Sequence, residues 1–366
     1  MLRLMLPCGR AWTLPQRGRV IMNRRVLLGM SGGLDSSYSA LVLKNEGYEV
    51  FGTTLIMHEF TDTTGARECA DSLSVPFSVL DLRDEFDKKV KTYFADEYAC
   101  GRTPNPCVVC NRNVKFAGLV SEADSLGCDF VATGHYAGIR NENGRYFVVR
   151  GLDPKKDQSY MLWSLSQDQL KRIIFPLEKR MKTDVREDAR DAGLSSADIA
   201  ESEDVCFLPD EEAADFVHRM KGNLPEGDFV DVSGKVIGRH KGIVSYTIGQ
   251  RRGLGISAGK RIFVTDIDPV KNVVTVGDDA DLYKSDITVR GLNFQKLAPT
   301  ENGEFRFDVK VRYAAPAAGA FVKIEGDTAK VHFDTPVRAA APGQSAVFYD
   351  GDAIAFGGVI EREMRQ

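Results

Sequence analysis

Three stretches of this 366-residue chain carry side chains whose types and spacing could do chemistry. The first is Gly29-Met30-Ser31-Gly32-Gly33-Leu34-Asp35-Ser36-Ser37. A glycine-rich turn between a strand and a helix lets backbone N–H groups close around phosphate oxygens, and the positive helix end adds a favourable dipole. Ser31, Ser36 and Ser37 offer hydroxyls to the same oxygens. No Gly-Lys-Ser/Thr follows at Walker A spacing, and G-x-G-x-x-G is missing too. The second stretch is Gly101-Arg102-Thr103-Pro104-Asn105-Pro106-Cys107-Val108-Val109-Cys110-Asn111. Two prolines around Asn105 stiffen the approach and bias Thr103 and Asn105 away from helix. Cys107 and Cys110 then form C-x-x-C, which allows a dithiol redox pair, half a metal site, or a nucleophilic thiol beside a second cysteine. A structural zinc needs four ligands, and no second C-x-x-C or clear His pair supplies them. The third stretch is Glu203-Asp204-Val205-Cys206-Phe207-Leu208. Alone, Cys206 reads as a buried apolar cysteine.

The elements that must hold these residues are legible as alternating strands and helices. Arg25 to Met30 is a short apolar run of buried-strand type, and Ser31-Gly32-Gly33 breaks it. A helical pattern starts at Asp35 and stops near Gly47. Glu49 to Leu55, Phe77 to Leu80 and Cys128 to Thr133 read as further strands, and Phe86 to Tyr98 as helix. This alternation predicts a parallel sheet covered on both faces, with ligands beyond the carboxyl ends of its strands. Ser31-Gly32-Gly33 and Gly134-His135 both fall at such ends. Beyond about residue 210 short alternating runs replace long helices. Phe305 to Tyr313 alternates, and Glu325-Gly326-Asp327 and Asp350-Gly351-Asp352 are hairpin signals, so the C-terminal part is a small β-barrel or sandwich.

Composition bounds the rest. At 366 residues, two or three domains are expected. Hydrophobic residues at 43% and charged residues at 27% suit a globular protein. No window approaches about 18 uninterrupted apolar residues, so no membrane partner is expected. A net charge of −4 supplies no general basic field, so nucleic acid would need a local patch. Seven scattered cysteines, an odd number, argue against a disulfide framework and for a reducing compartment. The first 21 residues hold Arg3, Arg10, Arg17 and Arg19 without an acidic residue. That is the composition of an organelle transit peptide, or of an extension ahead of a start at Met22. The second reading places the protein in the cytoplasm, the first in the mitochondrion.

The loop resembles the pyrophosphate loop S-G-G-x-D-S of ATPases that cleave ATP between its α and β phosphates. Further strings follow in order: Gly101 to Phe116, Ala132-Thr133-Gly134-His135-Tyr136-Ala137, Asp153-Pro154-Lys155-Lys156-Asp157-Gln158-Ser159-Tyr160, Cys206-Phe207, and Tyr246-Thr247-Ile248-Gly249-Gln250-Arg251-Arg252-Gly253-Leu254-Gly255. Together they resemble the tRNA-specific 2-thiouridylase family, from about Arg25 to Ile360. The resemblance implies an α/β, doubly wound pyrophosphate-loop domain over residues 22–209, a small mixed adaptor over 210–280 and a C-terminal β-barrel over 281–366, with 1–21 outside the fold.

It also implies a reaction. Gly29, Met30, Ser31, Gly32, Gly33, Leu34, Asp35 and Ser36 would hold ATP, with Mg²⁺, and Leu55 and Gly134 would contact adenosine. The C2 oxygen of a tRNA wobble uridine would be adenylated. A persulfide sulfur-carrier protein or cysteine desulfurase would deliver sulfur to Cys206. Cys110 would attack the activated carbon or resolve the Cys206 persulfide as a disulfide, and either role needs thiolate. Asn105, Pro106 and Cys107 would lie against the target base. His135, Lys156, Asp157, Gln158, Arg312, Tyr313 and Gln344 would contact tRNA, and Lys155, Lys156, Arg251 and Arg252 could form the basic patch. One departure matters: members with the cysteine-pair account often carry Asp at Cys107. Three thiols, Cys107, Cys110 and Cys206, could instead hold a [4Fe-4S] cluster with one iron open to sulfide, as related tRNA thiolases are described. The connection between Met57 and Ala70 is also short where some members carry an acidic insertion. Cys8, Cys69, Cys100 and Cys128 read as packing or surface. Another pyrophosphate-loop ligase or thiolase, or a non-catalytic RNA-binding scaffold, shares the loop without requiring both Cys110 and Cys206.

Overall fold

The computed structural model describes residues 24–198, 205–256, 259–299 and 303–362; the extension 1–21 and Glu203-Asp204 lie outside them. The chain begins with strand β1 (Arg25–Gly29), helix α1 (Leu34–Asn45), β2 (Glu49–Ile56), α2 (Thr64–Ser72) and β3 (Phe77–Asp81). A helical run over 83–99 leads to α3 (Pro106–Cys110), a π-helical turn (Asn111–Lys115) and α4 (Phe116–Leu126). Then come β4 (Phe130–Ala132), the hairpin β5 (Ala137–Glu142) and β6 (Arg145–Arg150), β7 (Ile173–Ile174) and α5 (Lys182–Asp191). Strands β3-β2-β1-β4-β7 form one parallel sheet in that order.

Alternation along β1 explains its two covers. Val26 and Leu28 pack with Leu34, Tyr38 and Leu43 of α1 and Val185 of α5. Leu27 faces the other way, into Phe116, Leu119 and Ala123 of α4. Both faces are buried, so β1 needs an unbroken apolar run at the sheet's centre. The doubly wound sheet expected from the alternation is present; its fifth strand, two residues long, was not anticipated.

The next section folds as a four-stranded mixed sheet, β10-β11-β8-β9, from β8 (Gly227–Asp231), β9 (Val236–His240), β10 (Phe263–Asp268) and β11 (Val273–Gly277). The last section contains β12 (Tyr283–Phe294), β13 (Gly303–Lys310), β14 (Ala318–Glu325), β15 (Thr328–Arg338), β16 (Ser345–Asp350) and β17 (Ala353–Ile360). These six strands run β12-β15-β14-β13-β16-β17 and close into a barrel where β12 meets β17. Gly326 and Gly351 turn the two expected hairpins at φ +61 each, a left-handed geometry that glycine adopts without strain. Among the described residues, no helix is long and apolar enough to cross a membrane.

Sequence reasoning missed how the first and last sections join. The β5–β6 hairpin leaves the parallel sheet and extends the barrel's sheet, with Val149 opposite Ala353. Gln295, fully buried at the end of β12, completes the joint. Its Nε2 donates to the Leu162 and Trp163 carbonyls at 2.9 Å, and its Oε1 accepts from the Val148 N–H at 2.9 Å. Gln295→Leu strands the buried Val148 N–H and removes one of two donors from each carbonyl, which keep the Leu165 N–H and Asn293 Nδ2. We expect a loss of about 1–3 kcal/mol of unfolding free energy, measured by urea denaturation.

Candidate active site

The glycine loop is built to leave its donors facing outward. Met30 is fixed on both sides: its N–H donates to Thr53 O at 2.8 Å, and its carbonyl accepts from Thr54 Oγ1 at 2.7 Å. Ser36 Oγ accepts from the Ser31 N–H at 3.1 Å and donates to Gly33 O at 3.0 Å, which sets the bend. Gly32 has φ +80, and a side chain there would meet the Ala66 backbone nitrogen at 2.8 Å. Only glycine fits. Helix α1 starts at Leu34 with no side-chain cap, so its first amides keep donors for an anion.

Asp35 supplies the loop's carboxylate, and the structure neutralises it. Lys182 Nζ lies 2.7 and 2.8 Å from its two oxygens, and Tyr136 OH donates to Oδ1 at 2.8 Å. Lys182, on the first turn of α5, keeps a nearly buried side chain. Gly134 presses on the same residue: a side chain there would meet the Asp35 backbone carbon at 2.8 Å. Leu55 sits at the carboxyl end of β2, its side chain buried toward α4.

The cysteine loop is held by the barrel. The Asn105 carboxamide accepts from the Ser345 N–H at 2.7 Å and donates to Gln344 Oε1 at 3.4 Å. Gln344 Nε2 returns bonds to the Thr103 and Pro104 carbonyls, at 3.1 and 3.4 Å. The Thr103 N–H donates to Pro342 O at 2.8 Å. Pro106 opens α3 at a position that needs no N–H, and Cys107 and Cys110 follow on it. The π-helical turn then widens the helix by one residue. It brings the Lys115 backbone N–H to the Cys110 sulfur, whose own S–H points at Met57 Sδ at 3.6 Å.

Cys110 is buried among Phe86, Val90, Phe94 and Val114. Phe207 enters this cluster, its ring 5.5 Å from Phe86 and 5.3 Å from Phe94, and so carries the exposed Cys206 to the same place. The charges of Cys107 and Cys206 both reach Cys110, and that of Cys107 reaches Cys206. The two distant stretches therefore converge. Their electrostatics differ from expectation, however. Burial, then the neighbouring thiols, pushes Cys110 up to about 12, and burial also raises Cys107 and Cys206. The local field holds the thiols protonated, and Lys115 is the cation that opposes this at all three. Lys115 also helps burial hold His135 neutral. One side chain thus acts on the thiols and on His135, and α4 behind it packs Leu119 within 3.5 Å of a side chain built at Gly29.

The other expected contacts are placed more variously. His135 Nδ1 shares a hydrogen bond with Thr133 Oγ1 at 2.7 Å, and its ring packs against Phe116 and Phe175. Asp157 turns inward, accepting from the Gly151 and Ser159 N–H groups at 3.2 and 3.1 Å. Gln158 Oε1 accepts from the Tyr136 N–H, while Lys156 stays half-buried on the same turn. Tyr313 is exposed and Arg312 half-buried beyond β13. Arg251 and Arg252 are exposed, as is Lys155. Cys69 and Cys128 are buried packing, as expected, and Cys100 lies on the surface. Lys115, Lys182 and Tyr136 are the residues that sequence reasoning passed over. Lys115 and Tyr136 lay inside quoted strings, but nothing in their spacing marked them. For a cluster, the donor set is right and the arrangement is not: among the described residues no three His, Cys, Asp or Glu side chains converge as metal ligands.

A parallel sheet with an anion-ready glycine loop, followed by two β sections, defines a nucleotide-binding α/β protein with appended barrels. Residues 24–210 match the tRNA methyl transferase HUP domain, 214–278 the tRNA methyl transferase PRC-barrel domain, and 284–360 the aminomethyltransferase beta-barrel domain. A tRNA-specific 2-thiouridylase of Clostridium acetobutylicum is 44% identical over 359 residues, covering 93% of this chain and all of that one. Another, from Clostridioides difficile, is 41% identical over 362 residues, covering 94% and 100%. The chain belongs to the tRNA-specific 2-thiouridylase family.

Two substitutions test the geometry. Gly32→Ala forces a strained φ and a backbone clash, so ATP affinity by calorimetry should fall at least about tenfold with the fold retained. Lys115→Met removes the cation beside the thiols. The pH profile of thiol alkylation should move to higher pH, with Lys115→Arg close to wild type.

Proposed function

We propose that this protein is a tRNA 2-thiouridylase, replacing the C2 oxygen of a wobble uridine by sulfur at the expense of ATP. The observation that carries this reading is the packing of Phe207 into the Cys110 cluster, which brings Cys206 from a distant stretch to the same place, with Lys115 acting on both thiols. The loop amides and Ser31, Ser36 and Gly134 would hold ATP so that the uridine C2 oxygen attacks its α-phosphorus and pyrophosphate leaves. Mg²⁺, when bound, would supply charge neutralisation at the phosphates, and Asp35 is the loop carboxylate able to hold it in exchange for Lys182.

The exposure pattern supports a division of roles between the two sulfurs. Cys206 is exposed and accessible to a persulfide-bearing donor protein, whereas Cys110 is shielded. The terminal sulfur of a Cys206 persulfide attacks C2, and AMP departs with the original oxygen. The Cys110 sulfur, losing its proton, then attacks the inner sulfur of Cys206. The sulfur–sulfur bond to the substrate breaks, its electron pair forms the thiocarbonyl, and a Cys110–Cys206 disulfide remains for reduction by an external thiol. Asn105, Pro106 and Cys107 would border the base, and His135, Lys156, Asp157, Gln158, Arg312, Tyr313 and Gln344 the surrounding tRNA. Since the three thiols do not converge as metal ligands, no step runs through a [4Fe-4S] cluster.

Cys110→Ala and Cys206→Ala should each lower wobble-uridine thiolation at least about a hundredfold, read by nucleoside mass analysis, with tRNA-dependent pyrophosphate release retained. Cys107→Ser should keep activity within several-fold. Full activity in either Ala variant overturns the proposal. Loss in Cys107→Ser with stoichiometric iron and acid-labile sulfide replaces the thiol pair by a cluster.

A further inference from the structure

We infer that the cleft between the β5–β6 hairpin, the 151–157 turn and the end of β13 is a subsite for the RNA backbone, with Arg150 and Lys310 as its phosphate-binding pair. The inference rests on the thiolation reading for the identity of the RNA, and on its own geometry for the site. The cleft encloses about 710 Å³ and is lined by both cations.

What sets this pair apart is how it is held. Of the cations lining this cleft, Arg140 sits on a carboxylate, that of Glu178. Arg150 instead stacks its guanidinium 4.2 Å over the ring of the buried Tyr349. Lys310 places its ammonium 5.8 Å from the Tyr160 ring and 5.6 Å from Tyr313. Neither forms an ion pair among the described residues. Asp157 acts on Lys310 through space, but no acid facing the cleft forms an ion pair with either cation among the described residues. Glu178 is taken by Arg140, Asp157 is turned into its own backbone and the Ser159 hydroxyl, and only Asp352 remains.

Two half-buried cations therefore face one cleft, where burial lowers the Lys310 pKa and the repulsion of Arg150 adds a smaller effect in the same direction. Asp157 outweighs that repulsion but not the burial. An entering anion would relieve both the repulsion and the desolvation. Aromatic seats fix the positions of both groups without neutralising them. A guanidinium fork and a point ammonium suit a phosphodiester.

The position connects this site to the chemistry. Tyr160, beneath Lys310, directs its hydroxyl to Ser345 O at 2.9 Å and to Asn105 Oδ1 at 3.4 Å. A phosphate on Lys310 would thus lie one ring away from the residue that borders the base. Arg312, two residues further on, has a buried Nε with no hydrogen-bond partner and would continue the row.

The test compares full-length wild type with Arg150→Gln/Lys310→Gln, titrating a wobble-uridine tRNA transcript by fluorescence anisotropy between 50 and 200 mM salt. The variant should bind about tenfold or more weakly at the low-salt end. Its plot of log affinity against log salt should be shallower by between one and two, since each lost phosphate contact removes about 0.7–0.9. ATP affinity should be unchanged. Lys310→Gln alone, which leaves the Tyr349 stack intact, should give about half the slope change, so misfolding of the double variant cannot mimic the result. Unchanged slope and affinity in both folded variants, with wild type binding and thiolating tRNA, removes the subsite and leaves the thiolation reading standing. Wild type that binds no tRNA overturns both.

Discussion

Asn105 spends its carboxamide on the barrel, and the active site depends on that bond. The loop before α3 has two prolines and few backbone donors of its own, so it cannot fold on itself. The bonds from Ser345, Gln344 and Tyr160 fix it instead. Once the loop is fixed, α3 has one starting point and the thiols one direction. The π-helical turn then delivers Lys115 to Cys110. A barrel some 240 residues further along the chain thus sets the position of the sulfur chemistry.

Opposite choices were made for the site's two charged centres. At the nucleotide loop a carboxylate is fully compensated by Lys182 and Tyr136. At the thiols, burial exceeds compensation and the sulfurs stay protonated. A protonated thiol is a poor nucleophile and is protected from casual oxidation. Forming a thiolate therefore calls for more positive charge at the sulfurs, and Lys115 is the cation that already acts on all three.

Much of the fold was legible because local patterns and tertiary needs agree. Val26-Leu27-Leu28 is apolar on both faces because both faces are covered, and the Gly326 and Gly351 turns had no competing explanation. The glycine loop was legible as well, since φ +80 at Gly32 admits little else. What stayed hidden depends on contacts distant in sequence. Gln295 looks like any polar residue until it is seen to join β12 to β6 and to the 162–163 carbonyls. Lys182 lies some 150 residues from its partner Asp35. Gln344 and Asp157 were expected to contact tRNA, yet both spend hydrogen bonds inside the protein. Cys206 read as buried, and its neighbour Phe207 is the residue that fills the core.

The β5–β6 hairpin carries a consequence for how such a protein can be taken apart or recombined. Its strands belong by sequence to the first section and by hydrogen bonding to the last. Cutting between sections would leave a fragment with a free sheet edge, the kind of surface that recruits other chains. A barrel grafted from a relative would also arrive without the strand that completes its flank. The sections can therefore be exchanged only as a matched set, and insertions are best tolerated at the solvent-facing turns, away from this seam.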